Sequence, residues 1–202
     1  MTKYVLSKSV LNFLELNAIT KYTLNNYGLI DVDQDVKLRD DSYSYIAPMF
    51  GAITGFFSCS HMNLKTLKGS PRIVSSFFYC DNNQLKNLEG GPIVVQSSYS
   101  CSYNPVKSLK GSPISVGGFF ICTNTNINSL EGISGNMEGV HCRHNDKIKT
   151  AYDLRHVLFS TCKTIESDFP LADKIINNFF LKPQEEKKQA IFRVLEQLKE
   201  IR

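Results

Sequence analysis

The sequence has no closely spaced cysteine pair, no long apolar run, no block of one charge and, after Gly139, no glycine. Each absence excludes something. Structural zinc centres draw ligands from tight pairs such as Cys-x-x-Cys, whereas here the thiols stand singly. A membrane-spanning helix needs about 18 apolar residues in a row, and no stretch approaches that. The opening MTKYVLSKSVLNFLELN breaks its apolar character with Lys8, Ser9 and Glu15 and offers no small-residue cleavage site, so it does not read as a secretory signal. The net charge of +4 is dispersed, and Lys187-Lys188, preceded by Glu185-Glu186, is the sole adjacent basic pair. Nucleic-acid surfaces usually carry a concentrated basic stripe. Gly117-Gly118 precedes Phe119 inside a turn rather than a helix start, so it is no phosphate loop. A soluble, cytoplasmic protein in a reducing compartment is expected, with no cofactor and no metal.

What is present is periodicity. Cys59, Cys80, Cys101 and Cys122 are spaced by 21 residues, and Cys142 follows after 20. Two residues before each cysteine stand Phe57, Phe78, Tyr99, Phe120 and Val140. Six before stand Ile53, Val74, Val95 and Val116. Five after stand Leu64, Leu85, Val106 and Ile127; eight after stand Leu67, Leu88, Leu109 and Leu130. Pro71, Pro92 and Pro113 each follow a glycine (Gly69, Gly90, Gly111) by two. So many columns in phase mark an internal repeat.

The repeat predicts a solenoid. Phe78-Tyr79-Cys80 alternates inward, outward, inward, as a short strand does. Asp81-Asn82-Asn83 is turn chemistry. Leu85 and Leu88 return to the core, and Gly-x-Pro reverses the chain. Val94 or Val95 then leads into the next strand. One unit cannot bury its apolar face alone; stacking buries a continuous core, with strands about 4.8 Å apart in a parallel sheet. An earlier, degenerate turn fits through Val32, Val36, Leu38, Ile46 and Pro48. Leu38 takes the cysteine position there, so that position is a core position first. Residues 133–149 lose the proline, as terminal repeats do.

The pattern Phe78-x-Cys80-x-x-Asn83-x-Leu85-x-x-Leu88 resembles the leucine-rich-repeat core Leu-x-Leu-x-x-Asn-x-Leu. With Leu88-Glu89-Gly90-Gly91-Pro92, Ser129-Leu130-Glu131-Gly132 and the lead-in Gly28-Leu29-Ile30-Asp31-Val32-Asp33, it is similar to short leucine-rich-repeat-like proteins encoded by large tailed bacteriophages and some giant viruses. The resemblance covers roughly residues 25–150. It implies an α/β class and a leucine-rich-repeat-like solenoid of about six turns over 28–150, with a short-stranded parallel sheet. An N-terminal capping helix (1–27) and a C-terminal helical cap (151–202) complete it. It also implies phage origin and, as a host interaction, a non-catalytic protein-binding role such as inhibition of host defence.

One column departs from that family, where a small or polar residue precedes the cysteine by three. Here stand Phe56, Phe77, Ser98 and Phe119. Strand alternation puts this column on the outer face, with Ser58, Tyr79, Ser100, Ile121 and His141 beside it. The expected partner surface is Phe56, Phe77, Tyr79, Phe119 and Ile121, with Asp81, His141 and Arg143 nearby. Contiguous exposed apolar surface marks a contact site; the other reading is that the terminal helices cover it.

At the ends, residues 3–16 read as a helix with Tyr4, Leu6, Val10, Leu11, Phe13 and Leu14 as its apolar set. Residues 151–161 read as a helix too. Asp168-Phe169-Pro170 starts the next, carrying Leu171, Ile175, Ile176 and Phe179. Pro183 starts the last, with Lys199 and Arg202 at its end. Its stripe Ile191, Val194, Leu195, Leu198, Ile201 suits a cap or a dimerisation helix.

Catalysis and metal binding are not expected. His141 adjoins Cys142 but faces the other way, while His61 and His144 lie in turns beyond their cysteines. His141, Cys142 and His144 lack a fourth ligand. In-register thiols have parallel Cβ vectors, poor for disulfides. Cys59, Cys80, Cys101, Cys122 and Cys142 therefore read as a structural ladder. Asn83, Asn104 and Asn145 read as its backbone-satisfying companions. Asp31, Asp33 and Asp35 read as a solvated strand edge rather than a calcium loop. Three functions follow in order: a non-catalytic protein-binding module, a self-associating scaffold and, weakest, a nucleic-acid binder.

Overall fold

A computed structural model describes residues 4–39, 45–46, 48–133 and 135–201. Lys3 and Arg202, expected in the first and last helices, lie outside the described residues. Helix α1 (Lys8–Leu16) leads to β1 (Tyr22–Leu24), β2 (Ile30–Val32) and β3 (Val36–Lys37). The repeats supply β4 (Phe50–Ile53), β5 (Phe57–Ser58), β6 (Ile73–Val74), β7 (Phe78–Tyr79), β8 (Val94–Val95) and β9 (Tyr99–Ser100). They continue with β10 (Ser115–Val116), β11 (Phe119–Ile121) and β12 (Gly139–His141). A 3₁₀ helix (Ala151–Phe159), β13 (Thr164–Glu166), α2 (Pro170–Phe180) and α3 (Gln184–Glu200) complete the chain.

Each full turn gives one strand to each of two sheets. The first, here sheet A, runs β1-β2-β4-β6-β8-β10; the second, sheet B, runs β13-β12-β11-β9-β7-β5-β3. All neighbours are parallel except the β1–β2 pair. The strand expected at Phe78–Cys80 is β7. The valine segment, expected only as a lead-in, is a strand in its own right and builds the second sheet. Its inward column is Ile53, Val74, Val95 and Val116. Its outward column is Ala52, Ile73, Val94 and Ser115, by the observed register.

Between the sheets Phe57, Phe78, Tyr99 and Phe120 stack at 5.7, 5.1 and 5.2 Å between centroids, and Phe50 meets Phe57 edge-on at 5.6 Å. Such ring pairs add to the area they bury. Leu38 and the five repeat cysteines form the adjoining column, all buried, with the paired leucines closing the third side. In-register stacking demands one backbone path per turn, and two corners fix it. His61, Asn82, Tyr103, Asn124 and His144, each two beyond its cysteine, have φ between +54° and +61°. The glycines of the Gly-x-Pro corner, Gly69, Gly90 and Gly111, and Gly132 at the same place in the next turn have φ between +84° and +95°, a region costly for other residues. The two turn histidines are thus corner residues.

Both ends are closed. Helix α1 starts at Lys8, later than expected; Ser7 caps it by accepting the Val10 amide, and it buries Phe13 and Leu14. Gln34 straps the following segment down: its Oε1 accepts the amides of Thr20 and Lys21, and its Nε2 donates to the Ala18 carbonyl. At the other end the expected 151–161 helix is a 3₁₀ helix burying Ala151, Leu154, Val157 and Leu158. Strand β13 lies inside the segment expected to be helical and extends sheet B by one rung. Pro170 opens α2 as expected, but Asp168 does not cap it: Asp168 Oδ2 accepts the Asn145 amide, and Asp173 holds Ser167. Helix α2 buries Ala172, Ile176 and Phe179, whereas Leu171 is exposed; α3 buries Val194 and Leu198. These helices pack on β13, on the 3₁₀ helix and on each other. Among the described residues no helix is long and apolar enough to cross a membrane.

Candidate binding faces

Sheet B presents the columns singled out in the sequence. Phe77 is 39% exposed, while Phe56, Tyr79, Phe119, Ile121 and His141 are half-buried. They form two clusters. Phe77 and Tyr79 stack at 5.7 Å. Two rungs on, Phe119 lies 4.6 Å from the His141 ring, next to Ile121. Ser98 and Ser100 sit on the rung between.

The phenylalanine column carries a structural cost. Where it holds a small polar residue, that residue latches the next turn: Asp35 Oδ1 accepts the Phe56 amide at 2.9 Å, and Ser98 Oγ accepts the Phe119 amide at 3.0 Å. Phe56 can offer no such acceptor to the turn bearing Phe77, nor Phe77 to the turn bearing Ser98. Asp31 and Asp33 are latches as well, through the Ala52 amide and the Thr54 hydroxyl, each at 2.8 Å. Asp33 and Asp35 are exposed and Asp31 is half-buried, so aspartates expected to be solvated also serve as latches.

Among the polar residues expected on this face, Asp81 is turned to internal work. Its carboxylate accepts the Ser100 hydroxyl and the Ser102 amide, and burial lifts its pKa above the usual range despite them. Arg143 pairs with Glu166 at 2.8 Å, and His141 lies 3.6 Å from the same carboxylate. Glu166 went unseen in the sequence because β13 belongs to no repeat.

The ladder residues meet as their columns imply. Asn83 Nδ2 donates to the carbonyls of Cys59 and Cys80, Asn104 Nδ2 to those of Cys80 and Cys101, and Asn145 Nδ2 to those of Cys122 and Cys142. Burial is the leading cause that raises every thiol: Cys122 is pushed up to about 12, and Cys59, Cys80, Cys101 and Cys142 also rise. A thiol so placed is a small hydrophobe, not a nucleophile. Among the described residues no group of three or more His, Cys, Asp or Glu could hold a metal ion.

A second face, on sheet A, was not anticipated. An open cleft of about 830 Å³ lies between the tip of the β1–β2 hairpin and the outer side of β6 and β8. Asn25, Tyr27 and Leu29 wall one side, Ile73, Ile93 and Val94 the other, and Gly51 and Ala52 form the floor, with Arg72 and Asp31 lining it. Later turns carry Arg72, Ile93 and Ile114 where this turn has Gly51. They carry Ile73, Val94 and Ser115 where it has Ala52. A Cβ at Gly51 would run into the Asp31 carboxylate and the Asn25 amide, so any larger residue there must displace them.

Together these features define a two-sheeted, mainly parallel β-solenoid of about six turns with a helical cap. No protein-family model, curated protein or solved structure matches the chain.

Proposed function

We propose that this chain is a non-catalytic protein-binding module that docks a partner on the outer face of sheet B. One observation carries the reading: Phe56 and Phe77 replace the polar latch that Asp35 and Ser98 provide in the same column, giving up an inter-turn hydrogen bond for surface aromatic area. The cost falls on the fold, so the gain lies outside it. Aromatic side chains in the middle of a surface patch are the usual anchors of interfaces. The solenoid is leucine-rich-repeat-like in its Phe-x-Cys-x-x-Asn-x-Leu core. The phage origin implied by that resemblance makes a bacterial host protein the partner, tethered or sterically blocked in the cytoplasm.

The test is capture from bacterial lysate with the wild type and with Phe77→Asp and Phe119→Asp, each checked for native circular dichroism. The folded variants are expected to lose proteins that the wild type retains. Recovery of the same proteins places the contact elsewhere. A self-associating scaffold is the second reading, favoured by exposed Phe159, Leu181 and Phe192 at the C-terminal end. Light scattering decides it, since a strict monomer at high concentration sinks it.

A further inference from the structure

The sheet A cleft is independent of the aromatic face and has the makings of a ligand site. Its volume of about 830 Å³ falls in the range of small-molecule sites, roughly 300–1,000 Å³. Its concavity is built from three parts: a floor lowered by Gly51 and Ala52, a wall raised by the hairpin tip, and an aliphatic far side of Ile73, Ile93 and Val94. Ile73 is 43% exposed and Ile93 37%, on two adjacent turns.

The charges on this lining are two and unequal in availability. The Asp31 carboxylate is engaged by the Ala52 amide at 2.8 Å and by Asn25 Nδ2 at 3.1 Å. The Arg72 guanidinium is exposed and makes no ion pair or side-chain hydrogen bond among the described residues. An apolar trough with one uncommitted guanidinium is complementary to a molecule with one carboxylate and an aliphatic tail.

We propose that this cleft binds an amphipathic monocarboxylate of the fatty-acid class. The carboxylate sits on Arg72, and the alkyl chain lies over Ala52 between Leu29 and the Ile73–Val94 wall.

The test uses the full chain with isoleucine methyls labelled for NMR, titrated with octanoate, 1-octanol and octylamine. Octanoate is expected to give saturable shifts at Ile73 and Ile93, with the buried Ile127 unmoved. Arg72→Gln, an exposed substitution, is expected to weaken octanoate about tenfold, the scale of one charge-assisted hydrogen bond, and to leave octanol unchanged. Ala52→Leu, which raises the floor, is expected to weaken both. Phe77→Asp leaves octanoate binding intact, so the outcome does not hang on the aromatic face. Non-saturable shifts, equal affinity for octanoate and octylamine, or unchanged octanoate affinity in Arg72→Gln each overturn the proposal. So does loss of octanoate binding in Phe77→Asp, which moves the ligand to the other sheet.

Discussion

Asn83 reaches back across a whole turn to Cys59, donating from Nδ2 to its carbonyl oxygen at 2.8 Å. The same amide accepts the backbone N–H groups of Met62 and Leu64 through Oδ1. One buried side chain thus closes a corner that the sheets leave unpaired, and ties its own turn, through the Cys80 carbonyl, to the turn before it.

Asn83→Ala strands those amides and carbonyls in a dry corner. Buried polar groups without partners cost about 1–3 kcal/mol each, and relaxation recovers part, so a loss of about 2–4 kcal/mol is expected. Exposed Gln84→Ala is expected to stay within about 0.5 kcal/mol of wild type. Urea denaturation of the two variants checks the contrast.

Tyr103 sits at φ +56°, in a corner column where Asn82 and Asn124 adopt nearly the same angle. Asparagine tolerates this region and a bulky residue does not. Tyr103→Asn is expected to stabilise the fold by about 0.5–1 kcal/mol, read as a rise in melting temperature. An unchanged or lower melting temperature would show that the exposed tyrosine ring compensates the strain.

All six cysteines are free and buried, with Cys162 held at about 11 by burial first. At pH 8 the native protein is expected to resist a thiol reagent over hours, and the unfolded protein to react completely. Rapid modification of any one native thiol would contradict the core assignment of its column.

His156, on the 3₁₀ helix, has its Nε2 buried without a partner. Burial lowers its pKa first and Arg155 adds to the effect, while Glu131 and Asp153 oppose it. A base whose folded pKa lies below its unfolded value refuses a proton that the unfolded chain accepts. Stability is therefore complete above the ordinary histidine value, about 6.5, and falls as pH drops through it. The melting temperature of wild type is expected to fall more steeply than that of His156→Gln between pH 7.5 and 5.5. Parallel curves would remove His156 from the account.

Sequence period made the inner columns legible. The cysteines, aromatics, paired leucines and asparagines recur because each must meet its counterpart one turn away, and such contacts write themselves as a period. Sheet A was harder to read because each repeat strand offers it one inward residue, the Ile53, Val74, Val95 and Val116 column, while Ile73 and Val94 face outward. Strand β13 and Glu166 belong to a rung with no repeat behind it. The cleft depends on Gly51 and Ala52 being smaller than their counterparts in later turns. That is a difference between columns, where a repeat search looks for sameness.

The corner geometry and the in-register sheets also turn the protein into a graduated surface. Sheet B has seven strands, and each step is about 4.8 Å, so its face is some 29 Å long and ruled at fixed intervals. Phe77 and Phe119 are two graduations apart, about 10 Å. With α1 seated at one end and β13 with its helices at the other, neither the length nor the spacing can slip. A partner must match the scale as well as the chemistry.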